Sequence, residues 1–180
     1  VRAFVAIDLP EAVTAALARV QSMLPAGRPV AEENLHLTLA FLGDQEETAL
    51  EGLHYELEGI RVQPFALRFS GLGAFGGDRP RILFADVGTE PALIDLYRQV
   101  AGALHRAGIV VQHARFHPHV TLARFGTGAA PEAAAHLRRF LSDHGDTALP
   151  GFTVAGFGLF ESVLHPSGAR YELLARYSLR

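Results

Sequence analysis

Two short runs in the chain carry the residue types for chemistry: His36-Leu37-Thr38 and His119-Val120-Thr121. In a strand, residues i and i+2 share a face, so each run presents one imidazole beside one hydroxyl. Imidazole titrates near neutrality, so one histidine can act as general base while the other acts as general acid. In-line displacement at phosphorus needs that pair, one to deprotonate the entering oxygen and one to protonate the leaving oxygen. Threonine hydroxyls can donate to the non-bridging phosphate oxygens, where charge must be stabilised. No Asp or Glu accompanies either run, so a carboxylate-held metal has no obvious ligands there.

The elements around these runs repeat. Arg2 to Asp8 resembles Arg81 to Val87, and each is followed by a proline (Pro10, Pro91) and a helical pattern, about 11–24 and 91–107. His36-Leu37-Thr38-Leu39-Ala40-Phe41-Leu42-Gly43 matches His119-Val120-Thr121-Leu122-Ala123-Arg124-Phe125-Gly126, and helical patterns follow at about 45–59 and 130–143. Phe65 to Phe75 resembles Phe152 to Phe160. A strand–helix–strand–helix–strand unit is therefore present twice, at about 1–76 and 80–161, with a closing strand at 169–178. Gly76 to Pro80 reads as the loop that joins the copies. The predicted architecture is α+β, a single bilobal domain over 1–180. Two pseudo-symmetric lobes of mainly antiparallel sheet carry helices on the outside and share a cleft.

Strand alternation places Leu35, Leu37, Leu39 and Phe41 on the core side and turns His36 and Thr38 to the open face. In the second copy Pro118, Val120 and Leu122 face the core, and His119 and Thr121 face out. A single His-x-Thr run is commonplace, and its histidine is more often structural than catalytic. Retention of both His and both Thr on non-core faces of a repeated unit is not required by packing. Arg124 stands where the first copy has Phe41. By parity it falls on the core side, so it either snorkels to water at the strand end or, if the strand bends, reaches the cleft and binds phosphate through its forked guanidinium. Phe4, opposite Val5 and Ile7, can stack on a base or simply pack. A competing reading is a transition-metal site at His113, His117 and His119. It leaves the first run unexplained.

Composition narrows the classes. Of the 180 residues, 49% are hydrophobic, enough for a sizeable core. No apolar run approaches the roughly 18 residues that span a bilayer, and the first residues do not read as a signal peptide. There is no cysteine, which removes thiolate metal sites and a cysteine nucleophile and fits a cytoplasmic location. The formal net charge of −3 argues against a grip on long nucleic acid and favours a terminus or short single strand.

The chain resembles the RNA 2′,3′-cyclic phosphodiesterases, or 2′-5′ RNA ligase-like proteins, of the 2H phosphoesterase superfamily. The resemblance is carried by Arg2 to Pro10, Glu33-Asn34-Leu35-His36-Leu37-Thr38-Leu39-Ala40-Phe41-Leu42-Gly43, Pro80 to Ala85, Phe116-His117-Pro118-His119-Val120-Thr121-Leu122-Ala123-Arg124, and the tail from Glu161 to Leu174. It implies a bilobal fold and hydrolysis of a terminal 2′,3′-cyclic phosphate on RNA to a 2′-phosphomonoester without a metal or other cofactor. It also implies His36 as proton donor and His119 as proton acceptor. The partners implied are RNA 3′ ends or short oligonucleotides; a monomer with no membrane association is expected. Related activities that share the site are 2′-5′ ligation, hydrolysis of a small cyclic nucleotide, and non-catalytic binding of RNA ends.

Overall fold

The computed structural model describes residues 1–112, 115–128 and 131–180. In chain order the elements are β1 (Arg2–Asp8), α1 (Glu11–Gln21), β2 (Arg28–Pro29), a 3-10 turn (Glu32–Asn34), β3 (His36–Asp44), α2 (Glu47–Glu58), β4 (Phe65–Leu67), β5 (Phe69–Phe75), β6 (Ile82–Val87) and α3 (Pro91–Arg106). β7 (His119–Arg124), α4 (Pro131–His144), β8 (Phe152–Val154), β9 (Gly156–His165) and β10 (Gly168–Ser178) follow. The four helices fall where the apolar periodicity predicts, with ends shifted by up to three residues. Each helix buries one stripe, for example Val13, Ala16, Leu17 and Val20 of α1 and Leu93, Leu96, Val100, Ala103 and Leu104 of α3.

The strands form one sheet in the order β10-β9-β1-β3-β7-β6-β5, with β2 added along β7, and a separate pair β4-β8. Every pairing is antiparallel. The sheet has two halves, β10-β9-β1-β3 and β7-β6-β5. They meet at a single residue pair, Leu37 opposite Val120. The spatial halves do not follow the units 1–76 and 80–161. β5 pairs with β6 of the second unit, and β9 pairs with β1 of the first. The physical reason lies in the joining loop. β5 and β6 are linked through residues 76–81, short enough for a hairpin, which favours pairing of neighbours in sequence. Gly76 permits that turn. Its φ is +111°, and a Cβ there would stand 2.2 Å from the Arg79 carbonyl oxygen.

Leu37 and Val120 are fully buried, so the core lies beneath the junction. The same alternation sends the side chains before and after them to the open face. At full burial a Leu and a Val contribute about 1.5–3 kcal/mol each, which anchors the central crossing.

Candidate active site

Antiparallel pairing at Leu37–Val120 sets the layout. It brings Thr38 beside His119 on one side of the junction and His36 beside Thr121 on the other. The four side chains predicted from sequence thus gather at one place.

Each histidine is held the same way. His36 Nδ1–H donates to the carbonyl of Asn34 at 2.6 Å, and His119 Nδ1–H donates to the carbonyl of His117 at 2.6 Å. The proton on Nδ1 leaves Nε2 as the reactive nitrogen in both rings. Thr38 Oγ1 lies 2.8 Å from His36 Nε2 and donates to it when the ring is neutral.

The carbonyl that fixes each ring is itself anchored through the side chain of its own residue. Asn34 Nδ2 donates to the carbonyl of Ala169 in β10 at 2.9 Å. His117 Nε2 lies 3.0 Å from Asp86 Oδ1 in β6. Asn34, His117 and Asp86 are thus positioning residues that sequence reasoning passed over as such. For Asn34 and His117 the available signal was their spacing, two residues before each histidine; Asp86 is brought in by the β6–β7 pairing opposite His119.

Aromatic rings close around both imidazoles. Phe4 stacks on His36 with centroids 4.9 Å apart, and Tyr171 meets it edge-on at 5.2 Å. Phe75 and Phe84 flank His119 at 5.4 and 5.2 Å. Gly73 makes room for this box, since a Cβ there would stand 2.7 Å from Phe84 Cζ. Phe4 is only 4% exposed, packed also against Phe160 and Tyr171. It supports His36 and has no free face for a base, which corrects the stacking role considered from sequence.

Arg124 arrives by a bulge. In the β6–β7 register Phe84 faces Thr121 and Leu83 faces Ala123, so Leu122 is the extra residue. Leu122 and Ala123 are both buried, and Arg124 turns outward to the face of His119 and Thr121. β3 does the same. Ala6 faces Thr38 and Val5 faces Ala40, so Leu39 is the bulged residue. Phe41, assigned to the core by simple parity, is therefore 67% exposed on the open face. The two equivalent bulges present an aromatic ring from one half and a guanidinium from the other.

The electrostatics are unequal. Burial is the largest influence on both histidines and holds each below the ordinary imidazole range, although the hydrogen bond to a backbone carbonyl partly offsets it. The Arg124 charge lowers both, which places its field over the pair. His119 alone has a carboxylate favouring its protonated form, that of Asp86. The corresponding Asp8, opposite His36, is tied to Arg176 by hydrogen bonds of 3.1 and 2.5 Å.

Among the described residues no cluster of three His, Asp or Glu side chains is arranged to hold a metal ion. His117 is turned to Asp86, and His113, the remaining member of the competing metal set, lies outside the described residues. No described helix is long and apolar enough to cross a membrane.

The chain matches the 2′-5′ RNA ligase superfamily over residues 9–165. It is 35% identical over 149 residues to the RNA 2′,3′-cyclic phosphodiesterase of Aeropyrum pernix, covering 82% of this chain and 83% of the relative. It is 32% identical over 186 residues to the RNA 2′,3′-cyclic phosphodiesterase of Escherichia coli K12, covering 99% and 96%. Its fold superposes on the crystal structure of E. coli LigT in apo form with a TM-score of 0.79 at 29% identity, over 99% of this chain and 96% of that one. The superposition on E. coli LigT complexed with 3′-AMP gives a TM-score of 0.76 at 28% identity, with the same coverage.

Proposed function

Since the chain belongs to the 2′-5′ RNA ligase superfamily, we propose that it hydrolyses a terminal 2′,3′-cyclic phosphate on RNA to a 2′-phosphomonoester, with no metal ion, by proton exchange at His36 and His119. The observation that carries this reading is the matched pair of imidazoles. Both are fixed at Nδ1 by a backbone carbonyl, and both turn Nε2 to the open face at the junction of the halves, where that of His36 meets the Thr38 hydroxyl.

The chemistry balances with these groups alone. Neutral His119 accepts a proton through Nε2 from water as the water oxygen bonds to phosphorus. Protonated His36 gives its Nε2 proton to O3′ as the P–O3′ bond breaks. The products are a free 3′-hydroxyl and a 2′-phosphomonoester, and solvent returns the proton balance. Asp86 supports this assignment, because its charge stabilises the imidazolium that forms on His119. Burial supports the other half, because a histidine with a lowered pKa is a stronger acid once protonated. The hydroxyls of Thr38 and Thr121 and the guanidinium of Arg124 donate to the non-bridging oxygens, whose charge grows in the transition state. The relatives' name and the 3′-AMP complex of E. coli LigT accord with a nucleotide phosphate ligand.

The test is to incubate an oligoribonucleotide ending in a 2′,3′-cyclic phosphate with the protein in excess EDTA and to assign the phosphate position of the product. Accumulation of the 2′-phosphomonoester is expected. An intact cyclic end, or activity that returns only when a divalent metal is restored, would overturn the proposal.

A further inference from the structure

Each of the two histidines has an aspartate directly opposite it in the sheet. Asp86 of β6 pairs with His119 of β7, and Asp8 of β1 pairs with His36 of β3. Residues in direct register share a face, with Cβ atoms about 4.5–5.5 Å apart. The two halves therefore offer each imidazole an equivalent carboxylate. Like histidines with like carboxylates would hold their protons alike, whereas a general acid and a general base must differ.

The partners of the two carboxylates break the likeness. Asp86 meets the imidazole of His117 at 3.0 Å, and its charge still favours protonation of His119. Asp8 meets a guanidinium. Arg176 Nη1 and Nη2 donate to Asp8 Oδ1 and Oδ2 at 3.1 and 2.5 Å, a two-pronged pair whose cation does not titrate. The register shows how Arg176 gets there. Arg176 of β10, Gly158 of β9, Ala6 of β1 and Thr38 of β3 form one row across the sheet, on the open face. β9 separates β10 from β1, so the side chain spans two strand spacings, about 10 Å, over a glycine to the residue two positions beyond Ala6.

Other charged and titratable groups stand around His36. From β7 the charges of Arg124 and His119 both disfavour its protonation. Tyr171 of β10 meets the ring edge-on at 5.2 Å. Glu32 and Glu33, in the turn that leads into β3, are exposed to solvent. Asp8 is the carboxylate that the sheet sets opposite His36, and Arg176 is the cation that cancels it.

We propose that Arg176 is a positioning residue for the reaction: by holding Asp8 in a neutral pair it denies His36 the carboxylate support that His119 has, and so assigns the proton-donor role to His36. The proposal rests on the two-histidine phosphodiesterase reading. A carboxylate left free beside His36 would stabilise its imidazolium and weaken it as an acid. The pair is about half exposed, so it contributes little to folding, and its substitution reads charge more than stability.

The test is an NMR titration of the histidine rings at low ionic strength, where screening is least, with the His36 signals identified by their loss in His36→Ala. The pH profile of kcat/KM on a cyclic-phosphate oligonucleotide is measured beside it. Arg176→Gln leaves Asp8 unpaired and should raise the His36 titration by about 0.5–1 pH unit. Asp8→Asn leaves Arg176 unpaired and should lower it by a similar amount. The double variant, and Arg176→Lys, should titrate close to the wild type. The alkaline limb of kcat/KM, which follows the loss of the proton from His36, should move in the same order. A merely structural tie would shift both single variants alike and would not be repaired in the double. Shifts of one sign, or an unmoved His36 in Arg176→Gln, would overturn the proposal whatever the turnover. An alkaline limb that stays while the titration moves would overturn the assignment of the donor. If none of the proteins hydrolyses the cyclic phosphate yet His36 titrates as stated, the phosphodiesterase reading fails and the masking of Asp8 by Arg176 stands.

Discussion

Arg124→Ala removes a cation that reaches the site only because of the bulge at Leu122. Its side chain is exposed, and among the described residues no carboxylate pairs with it. Folding stability should therefore change by no more than about 0.5 kcal/mol, a shift in Tm of about 2 °C or less for a chain of this size. Catalysis should suffer far more. A hydrogen bond to a charged partner contributes about 1.5–3 kcal/mol, and a forked guanidinium can make two. Taking the low end of that range, because the position is open to water, two bonds give about 3 kcal/mol. That corresponds to a loss of about 10²-fold in kcat/KM. Arg124→Lys keeps the charge and loses the fork, so it should fall between, at a loss of about tenfold. The pH profile supplies an independent check. Arg124 lowers both histidines, so both limbs of the kcat/KM profile should move to higher pH in Arg124→Ala and stay near the wild-type position in Arg124→Lys. The assay is initial-rate hydrolysis of a cyclic-phosphate oligonucleotide across pH 5–8, with melting curves run in parallel. Wild-type rate and an unmoved profile in well-folded Arg124→Ala would show that the guanidinium does not act on the reacting phosphate.

Three further outcomes follow from the anchors and the burial. Asn34→Ala loses the bond to the Ala169 carbonyl, so Tm should fall by about 2–4 °C and kcat by about tenfold with little change in KM, because the carbonyl that orients His36 is freed; an unchanged kcat would remove Asn34 from positioning. His117→Ala removes a charge that lowers His119 and leaves Asp86 unpaired beside it, while Arg124 and His36 still face the ring. The acid limb of kcat/KM should then move to higher pH with the alkaline limb in place, and a shift the other way would contradict the assigned field. Both His36 and His119 titrate lower in the folded chain than in the unfolded one, so the unfolded state binds more protons just below pH 6.5. Their contribution to stability is complete above that pH and is lost as pH falls toward the folded-state values. Tm should therefore drop over that window less steeply in His36→Ala than in the wild type, and equal slopes would contradict the sign.

The sequence makes the centre of the site legible because two strands of the same period carry the same polar pair, and alternation alone puts that pair on the open face. Alternation fails one residue later. Leu39-Ala40 and Leu122-Ala123 each place two apolar residues in a row, and both members pack inward or partly inward only because the strand bulges between them. Counting by twos across those positions sends Phe41 and Arg124 to the wrong face. The exchange of β5 and β9 between the halves was hidden for a different reason. Internal similarity reports which segments are alike, whereas pairing is decided by the hairpin through residues 76–81 and by the return of the chain end to β1. The sequence leaves Phe4 open between a base and a packing role because an aromatic on a polar-looking face suits both, and its stacking on His36 arises from segments distant in the chain.

The central claim is that His36 and His119 act as one proton-exchanging unit, and single-turnover hydrolysis tests it most directly. Rates are measured in EDTA for the wild type, His36→Ala, His119→Ala and the double variant, with folding confirmed for each. Each single variant should lose about 10²–10⁴-fold, and the double variant should lose little more than the worse single one, because removing either member already breaks the exchange. Near-wild-type turnover in either folded single variant, or losses that multiply in the double, would contradict it.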